Sequence, residues 1–283
     1  MVYTLWDENS IFLENVNDIV YNHFKVKKTW ADFRRPGFGG IIMVRSILAV
    51  LYLFLYLVLG LPVLGLLHLY SKVSAKRAEN LTGKIVRWGL SCITAISGAE
   101  VEVLGLENIP KDTAMLYIGN HRSIFDVIIS YPYTVGRTGF IAKNNLEKVP
   151  ILPIWMNRMH CLFLDRDNPR DGLRVVLQAI DYIKSGISVF VFPEGTRTKT
   201  GAMAPFKEGT FKMATKTGCP IIPVAFTNTD ELFERIFPFI KPTKVIVHFG
   251  KPIMPDDIED KKHAGAQTQA VIQQMLLEDE RLL

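Results

Sequence analysis

Metal-binding patterns are missing from this chain of 283 residues. Its three cysteines, Cys92, Cys161 and Cys219, stand alone, with no CxxC pair and no Cys/His cluster, so neither a zinc site nor a disulfide framework is expected. They read as buried free thiols of a reducing compartment. None lies next to a histidine in sequence, so a catalytic thiol is not the expectation. Zinc-finger spacing, an RNP-like aromatic motif and a dense basic run are also lacking, so nucleic acid is not an expected partner. There is no internal repeat and no low-complexity tract. No secretory signal is expected either: Asp7 and Glu8 occupy the place of a basic leader, and no apolar core follows them. Nothing in the sequence specifies an oligomeric state.

Apolar residues, by contrast, are abundant. They make up 48% of the chain, and the net charge is +5. A modest basic excess suits an anionic membrane surface or a phosphorylated ligand. Much of the excess hydrophobicity sits in residues 46–70, a run of 25 without Asp, Glu, Lys or Arg. As one helix it would measure about 37 Å, longer than the roughly 30 Å hydrocarbon core of a bilayer. Gly60-Leu61-Pro62 stands in its middle, and basic residues flank both sides: Arg34, Arg35 and Arg45 before, Lys72, Lys76, Arg77, Lys84 and Arg87 after. A spanning helix shows its Lys/Arg bias on one side. The flanks therefore favour a re-entrant helix pair over a single span. Before this segment, Phe12, Val16, Ile19 and Val20 recur at helical spacing, predicting a short amphipathic helix that packs on the domain or lies on a membrane. This divides the chain into an extension over 1–40, a membrane-anchoring segment over 41–84 and a further domain over 85–283.

From about residue 99 short apolar runs alternate with amphipathic ones. Strands are predicted at 100–104, 116–119, 138–142, 161–164, 187–192, 220–226 and 244–249. Helices are predicted at 123–131, 151–159, 171–184, 208–217 and 264–277. Strands alternating with helices imply an α/β domain with a largely parallel sheet flanked by helices.

Two stretches could carry chemistry. Asn120-His121-Arg122-Ser123-Ile124-Phe125-Asp126 lies between a predicted strand and a predicted helix. His can serve as a base near neutral pH and Asp can orient it. Five residues apart, the two would point about 140° away from each other on a continuous helix. They meet only if His121 precedes the helix and Asp126 lies in its first turn. Ser123-x-x-Asp126 has the form of a helix start, which permits that placement and equally permits Asp126 to be a simple cap. The second stretch, Phe192-Pro193-Glu194-Gly195-Thr196-Arg197, follows the most apolar strand. Arg197 suits phosphate oxygens, or forms an internal ion pair with Glu194. Arg166 closes a third strand at Phe163-Leu164-Asp165-Arg166. Pro220 and Pro223 bracket an apolar pair that reads as a strand start or a sheet edge, and as a possible wall for a lipid tail.

Together these blocks resemble the glycerolipid acyltransferases, with their NHxxxxD and FPEGTR motifs. Among these, short members with one N-terminal membrane segment are the 1-acylglycerol-3-phosphate (lysophosphatidate) acyltransferases. The resemblance covers roughly residues 85–255. It implies that His121 is the general base on the acceptor hydroxyl and that Asp126 holds its imidazole. It further implies that Glu194, Gly195, Thr196 and Arg197, with Arg166 and Lys143, bind the acceptor's glycerol phosphate. The acyl group would come from a thioester, acyl-CoA or acyl carrier protein, with no metal and no resident cofactor. Backbone N–H groups at the helix start would serve as oxyanion donors. The product would be phosphatidic acid, made at the cytoplasmic face of the cell membrane from lysophosphatidic acid held among the membrane lipids. Acceptors left open are another lysophospholipid, glycerol 3-phosphate and a lyso-amino-acid lipid. A non-catalytic lipid-binding membrane protein is the remaining alternative.

Overall fold

A computed structural model describes residues 38–198, 202–258, 260 and 263–283. The amphipathic helix predicted within the first 20 residues lies outside them. The first element is a single helix, α1 (Phe38–Val73), about 54 Å long at the α-helical rise. It runs unbroken through Gly60-Leu61-Pro62. Gly60 serves packing: a Cβ at this position would come within 2.9 Å of the Trp155 ring, so glycine lets α1 approach the domain closely.

The chain turns at Ser74 into α2 (Ala75–Ser97), which ends on Gly98 at φ +73°. Arg45 bonds the carbonyl of Ile96, Tyr52 that of Gly89 and Tyr56 that of Ile85. Partners that ascend along α1 descend along α2, so the two helices form an antiparallel hairpin. The expected boundary at 84/85 falls inside α2. Its buried residues, among them Ala78, Thr82, Val86 and Ile93, recur on one face. Ser46 on α1 accepts from the Ile240 N–H, so α1 touches the domain there as well as at Trp155. Its remaining surface is apolar and exposed, including Ile47, Leu51, Phe54, Leu59, Leu66 and Leu69. It is the one helix among the described residues long and apolar enough to cross a membrane.

The domain is a seven-stranded sheet of β1 (Glu100–Leu104), β2 (Leu116–Gly119), β3 (Thr138–Lys143), β4 (Leu162–Leu164), β5 (Ser188–Val191), β6 (Ile221–Thr227) and β7 (Lys244–Phe249), in the order β1-β7-β6-β2-β5-β3-β4. Every neighbouring pair is parallel except β6–β7. The fold is therefore α/β with a largely parallel sheet flanked by helices. Pro220 directly precedes β6, as suits a strand start, and Pro223 lies within it; β6 is interior, paired with β2 on one side and β7 on the other, and buried along its whole length. The segment therefore starts a buried strand and is not a sheet edge. Proline is accommodated because the β6–β7 ladder ends at Val224, one residue away from Pro223.

Strand alternation separates two cores. Tyr117, Phe190 and Val224 face one side, with Ala49, Leu64 and Leu67 of α1 and Val86 and Ile93 of α2. Leu116, Ile118, Val189 and Val191 face the other. There α5 (Pro169–Lys184) and α8 (Ala264–Asp279) cover them. α5 begins two residues ahead of the predicted start: Asn168 caps it by accepting from Arg170 N, Pro169 opens it and Gly186 at φ +79° follows it. Between these elements lie α3 (Phe125–Ser130), α4 (Leu152–Arg158), α6 (Lys212–Thr217) and α7 (Thr229–Leu232).

The arrangement matters for function because β6, β2, β5, β3 and β4 all point the same way. Their carboxyl ends form one edge of the sheet, where open α/β sheets bind ligands.

Candidate active site

His121 follows β2 by two residues, and Asp126 lies in the first turn of α3. Their side chains meet, His121 Nδ1 to Asp126 Oδ2, at 2.8 Å. The carboxylate is acceptor-only, so Nδ1 carries the proton and Nε2 keeps its lone pair. The two readings of Asp126 as cap and as orienter prove to be one. Oδ2 also accepts from Arg122 N and Ser123 N, each at 2.8 Å, while the Ser123 hydroxyl accepts from Phe125 N at 3.0 Å. These bonds pin the loop ahead of α3 so that His121 faces Asp126.

A second layer holds this pair. The Thr229 hydroxyl donates to Asp126 Oδ1 at 2.6 Å. Glu194 Oε1 accepts from His121 N at 2.6 Å, and its Oε2 accepts from Ala204 N at 2.9 Å. Glu194 therefore braces the backbone on which His121 is mounted. Burial pushes its carboxyl above the ordinary range, against the lowering effect of those two amides. Asn120 fastens the end of β2 to β6: its amide donates to Phe226 O at 3.1 Å and its oxygen accepts from Phe226 N at 2.7 Å. The imidazole stacks on Phe192, centroids 4.1 Å apart and planes 18° apart. Phe192 in turn packs on Phe190 and Phe226.

The cationic residues lie along the same edge. Arg197 sits in the loop after β5, exposed, and pairs with Glu234 at 2.8 Å rather than with Glu194. Thr196 beside it is exposed. Gly195 turns the chain at φ +78°, where a Cβ would come within 2.7 Å of Lys207 Nζ. Arg166 follows β4, and its guanidinium has no hydrogen-bond partner among the described residues. Burial first, then the like charge of Arg197, pushes it below its usual value. Two guanidiniums close enough to repel each other, one of them without an acid among the described residues, make a place for an anion. Lys143 ends β3, next to β5, and is exposed; its ammonium pairs with no described residue. Of the six residues expected to hold the acceptor phosphate, Arg197 and Arg166 are thus near one another. Thr196 and Gly195 shape the same turn, Lys143 stands along the edge, and Glu194 has its carboxylate engaged with backbone amides.

One expectation is corrected. The backbone N–H groups at the start of α3 are all used internally. His121 N goes to Glu194, Arg122 N and Ser123 N to Asp126, Ile124 N to Glu234, Phe125 N to the Ser123 hydroxyl and Asp126 N to Ser123 O. A tight capped loop consumes its own donors, so none of these six is left for an oxyanion.

Thr229, Glu234 and Lys207 escaped the reading of the sequence. Thr229 and Glu234 follow β6 in a stretch with no recognisable motif. The available signal was topological: a strand parallel to β2 returns its end to the same edge of the sheet. Among the described residues no group of His, Cys, Asp and Glu is disposed to hold a metal ion.

Comparison with known proteins bears on this site. A family model described as Acyltransferase matches residues 100–227. A probable 1-acyl-sn-glycerol-3-phosphate acyltransferase of Mycoplasma pneumoniae is 33% identical over 190 residues, which cover 62% of this chain and 70% of that protein. The chloroplastic 1-acyl-sn-glycerol-3-phosphate acyltransferase BAT2 of Brassica napus is 36% identical over 47% of this chain, and the match spans only 39% of that relative. For the Borreliella burgdorferi enzyme of the same name the values are 35%, 54% and 61%. The crystal structure of the 1-acyl-sn-glycerophosphate acyltransferase PlsC from Thermotoga maritima superposes with a TM-score of 0.72 at 26% identity, covering 84% of this chain and 97% of that one. With the two motif loops held at one sheet edge, these similarities place the chain in the 1-acyl-sn-glycerol-3-phosphate acyltransferase family.

Proposed function

We propose that this protein transfers a fatty acyl group from a thioester, acyl-CoA or acyl carrier protein, to the sn-2 hydroxyl of 1-acylglycerol 3-phosphate, giving phosphatidic acid. The observation that carries the reading is the 2.8 Å His121–Asp126 contact at the same sheet edge as Arg166 and Arg197. His121 Nε2 removes the proton of the acceptor hydroxyl as its oxygen attacks the thioester carbon. Asp126 keeps the imidazole in the required tautomer and stabilises the imidazolium that forms. When the C–S bond breaks, the imidazolium returns its proton to the leaving thiolate. No protein nucleophile and no resident cofactor are needed, because the thioester is already activated. Base catalysis of this kind supplies about 10²–10⁴-fold, and holding two substrates together supplies much of the rest. Arg166 and Arg197 take the acceptor phosphate, with Lys143, Gly195 and Thr196 lining its approach.

The same proposal places the protein on the cytoplasmic face of the cell membrane. The flank of α1 that carries Ser46 and Gly60 rests on the domain, while its other faces are apolar and open. A helix held against a water-facing domain in this way is suited to lying in one leaflet with the domain beside it. Both lysophosphatidic acid and the product partition into that leaflet, and the donor arrives from water.

An assay of the purified full-length protein with lysophosphatidate and each donor type tests the proposal. Phosphatidic acid should form with at least one donor. Acylation of a different acceptor with none of lysophosphatidate would overturn the choice of substrate.

A further inference from the structure

Resting on that reading, we propose that Glu234 is a positioning residue that sets the distance between the acceptor-phosphate site and the catalytic base. A single oxygen of Glu234, Oε1, accepts from Arg197 Nη1 at 2.8 Å and from Ile124 N at 2.9 Å. Ile124 is the residue that immediately precedes α3, and α3 carries Asp126, which holds His121. A short strut thus runs from the phosphate-binding guanidinium through one carboxylate to the helix that fixes the imidazole. Glu234 is suited to the task because its carboxylate is largely withdrawn from solvent, and its own segment is anchored. Arg235 next to it bonds Asp230 at 2.7 Å and Glu231 at 3.1 Å, and Arg122 of the catalytic loop approaches Asp230 at 3.6 Å. The segment that carries the strut's carboxylate is therefore tied to the loop that holds His121.

The substrate's chemistry explains why such a strut matters. In a glycerol 3-phosphate backbone, two carbons and one ester oxygen separate the sn-2 hydroxyl oxygen from the phosphorus. The separation of hydroxyl and phosphate varies only within the rotamers of that short link. A phosphate held at Arg197 presents the hydroxyl to His121 only if Arg197 stands at a matching separation from Nε2. Misplacement by about 1 Å costs on the order of 10²-fold in such systems.

The experiment is a set of four variants of the full-length, membrane-reconstituted enzyme, assayed with lysophosphatidate: Glu234→Ala, Glu234→Gln, Arg197→Ala and the double Glu234→Ala/Arg197→Ala. Glu234→Ala should raise KM and lower kcat, with kcat/KM down about tenfold or more. Glu234→Gln keeps an oxygen facing both donors and should recover most of kcat while KM stays raised. The loss in the double variant should fall short of the product of the single losses by about fivefold or more, the mark of two residues acting as one unit. Losses that simply multiply, or a glutamine variant as damaged as the alanine one, would overturn the strut. Failure of the unmodified enzyme to acylate lysophosphatidate would instead remove the reading beneath it.

Discussion

Thr229 Oγ1 donates a 2.6 Å hydrogen bond to Asp126 Oδ1 across 103 residues of chain. It is the donor on the far side of the carboxylate; the other three, from His121, Arg122 and Ser123, all converge on Oδ2. Asp126 is fully buried, so the loss of this donor cannot be made good by solvent. Thr229→Val keeps the shape and removes the bond. It should lower kcat by about tenfold with little change in KM, since an unmet acceptor at a buried carboxylate is worth on the order of 1–3 kcal/mol. Steady-state kinetics with lysophosphatidate check the split.

Asp126→Asn should be far more damaging. The amide nitrogen can occupy only one of the two positions. Three donors converge on the Oδ2 position, so the amide oxygen stays there and the nitrogen turns to the Thr229 hydroxyl, which can accept from it. The tautomer survives, but the negative charge that stabilises the imidazolium is lost. A fall of about 10³-fold or more in kcat is expected, comparable with that of His121→Ala. Membrane association of the His121→Ala protein should be unchanged in flotation assays.

Glu194 gives stability a pH dependence of known sign. Its carboxyl is raised by burial, so the folded protein binds this proton more tightly than the unfolded chain does. The favourable contribution is complete below the unfolded value, about 4.3, and is lost as pH rises through the higher folded value. Glu194→Gln does not titrate. Denaturant unfolding of both proteins across pH should show the stability of the wild type, relative to the variant, falling as pH rises over that window. A difference that is flat or rises counts against the assignment.

Gly119 ends β2 directly before Asn120. A Cβ there would lie 2.8 Å from the Phe226 ring and 3.2 Å from the rings of Phe190 and Phe192. Gly119→Ala should cost about 1–3 kcal/mol by overpacking. It should also reduce kcat, because Phe192 is the ring on which His121 stacks. Thermal melting and kinetics on one preparation separate the two effects.

Replacing Leu51, Phe54 and Leu66 by serine changes only exposed positions of α1. The domain core should be unaffected, with Tm in detergent shifted by a few degrees at most, while the protein moves toward the soluble fraction at physiological salt. Leu64→Ser, at a buried position of the same helix, should instead lower Tm.

Much of this protein is legible in its residue order. Short apolar runs and period-3.6 patterns predicted the seven strands and most of the helices within a few residues, because the central strands bury both faces whereas a covering helix buries one. The His121–Asp126 and Glu194–Arg197 blocks are local as well: each lies in the few residues after a strand, where backbone geometry alone aims side chains at the sheet edge. Residue order could not show which elements become neighbours. Strand order made Thr229 and Glu234 part of the site, since β6 happens to lie beside β2. Tertiary packing also joined α1 to the domain through Gly60 and Ser46, and it carried the helix intact past Pro62. Arg197 was paired with Glu234 instead of the nearer-in-sequence Glu194 because backbone amides had already claimed the Glu194 carboxylate. Local chemistry is written in consecutive residues, whereas the competition of distant groups for one partner is settled only when the chain has folded.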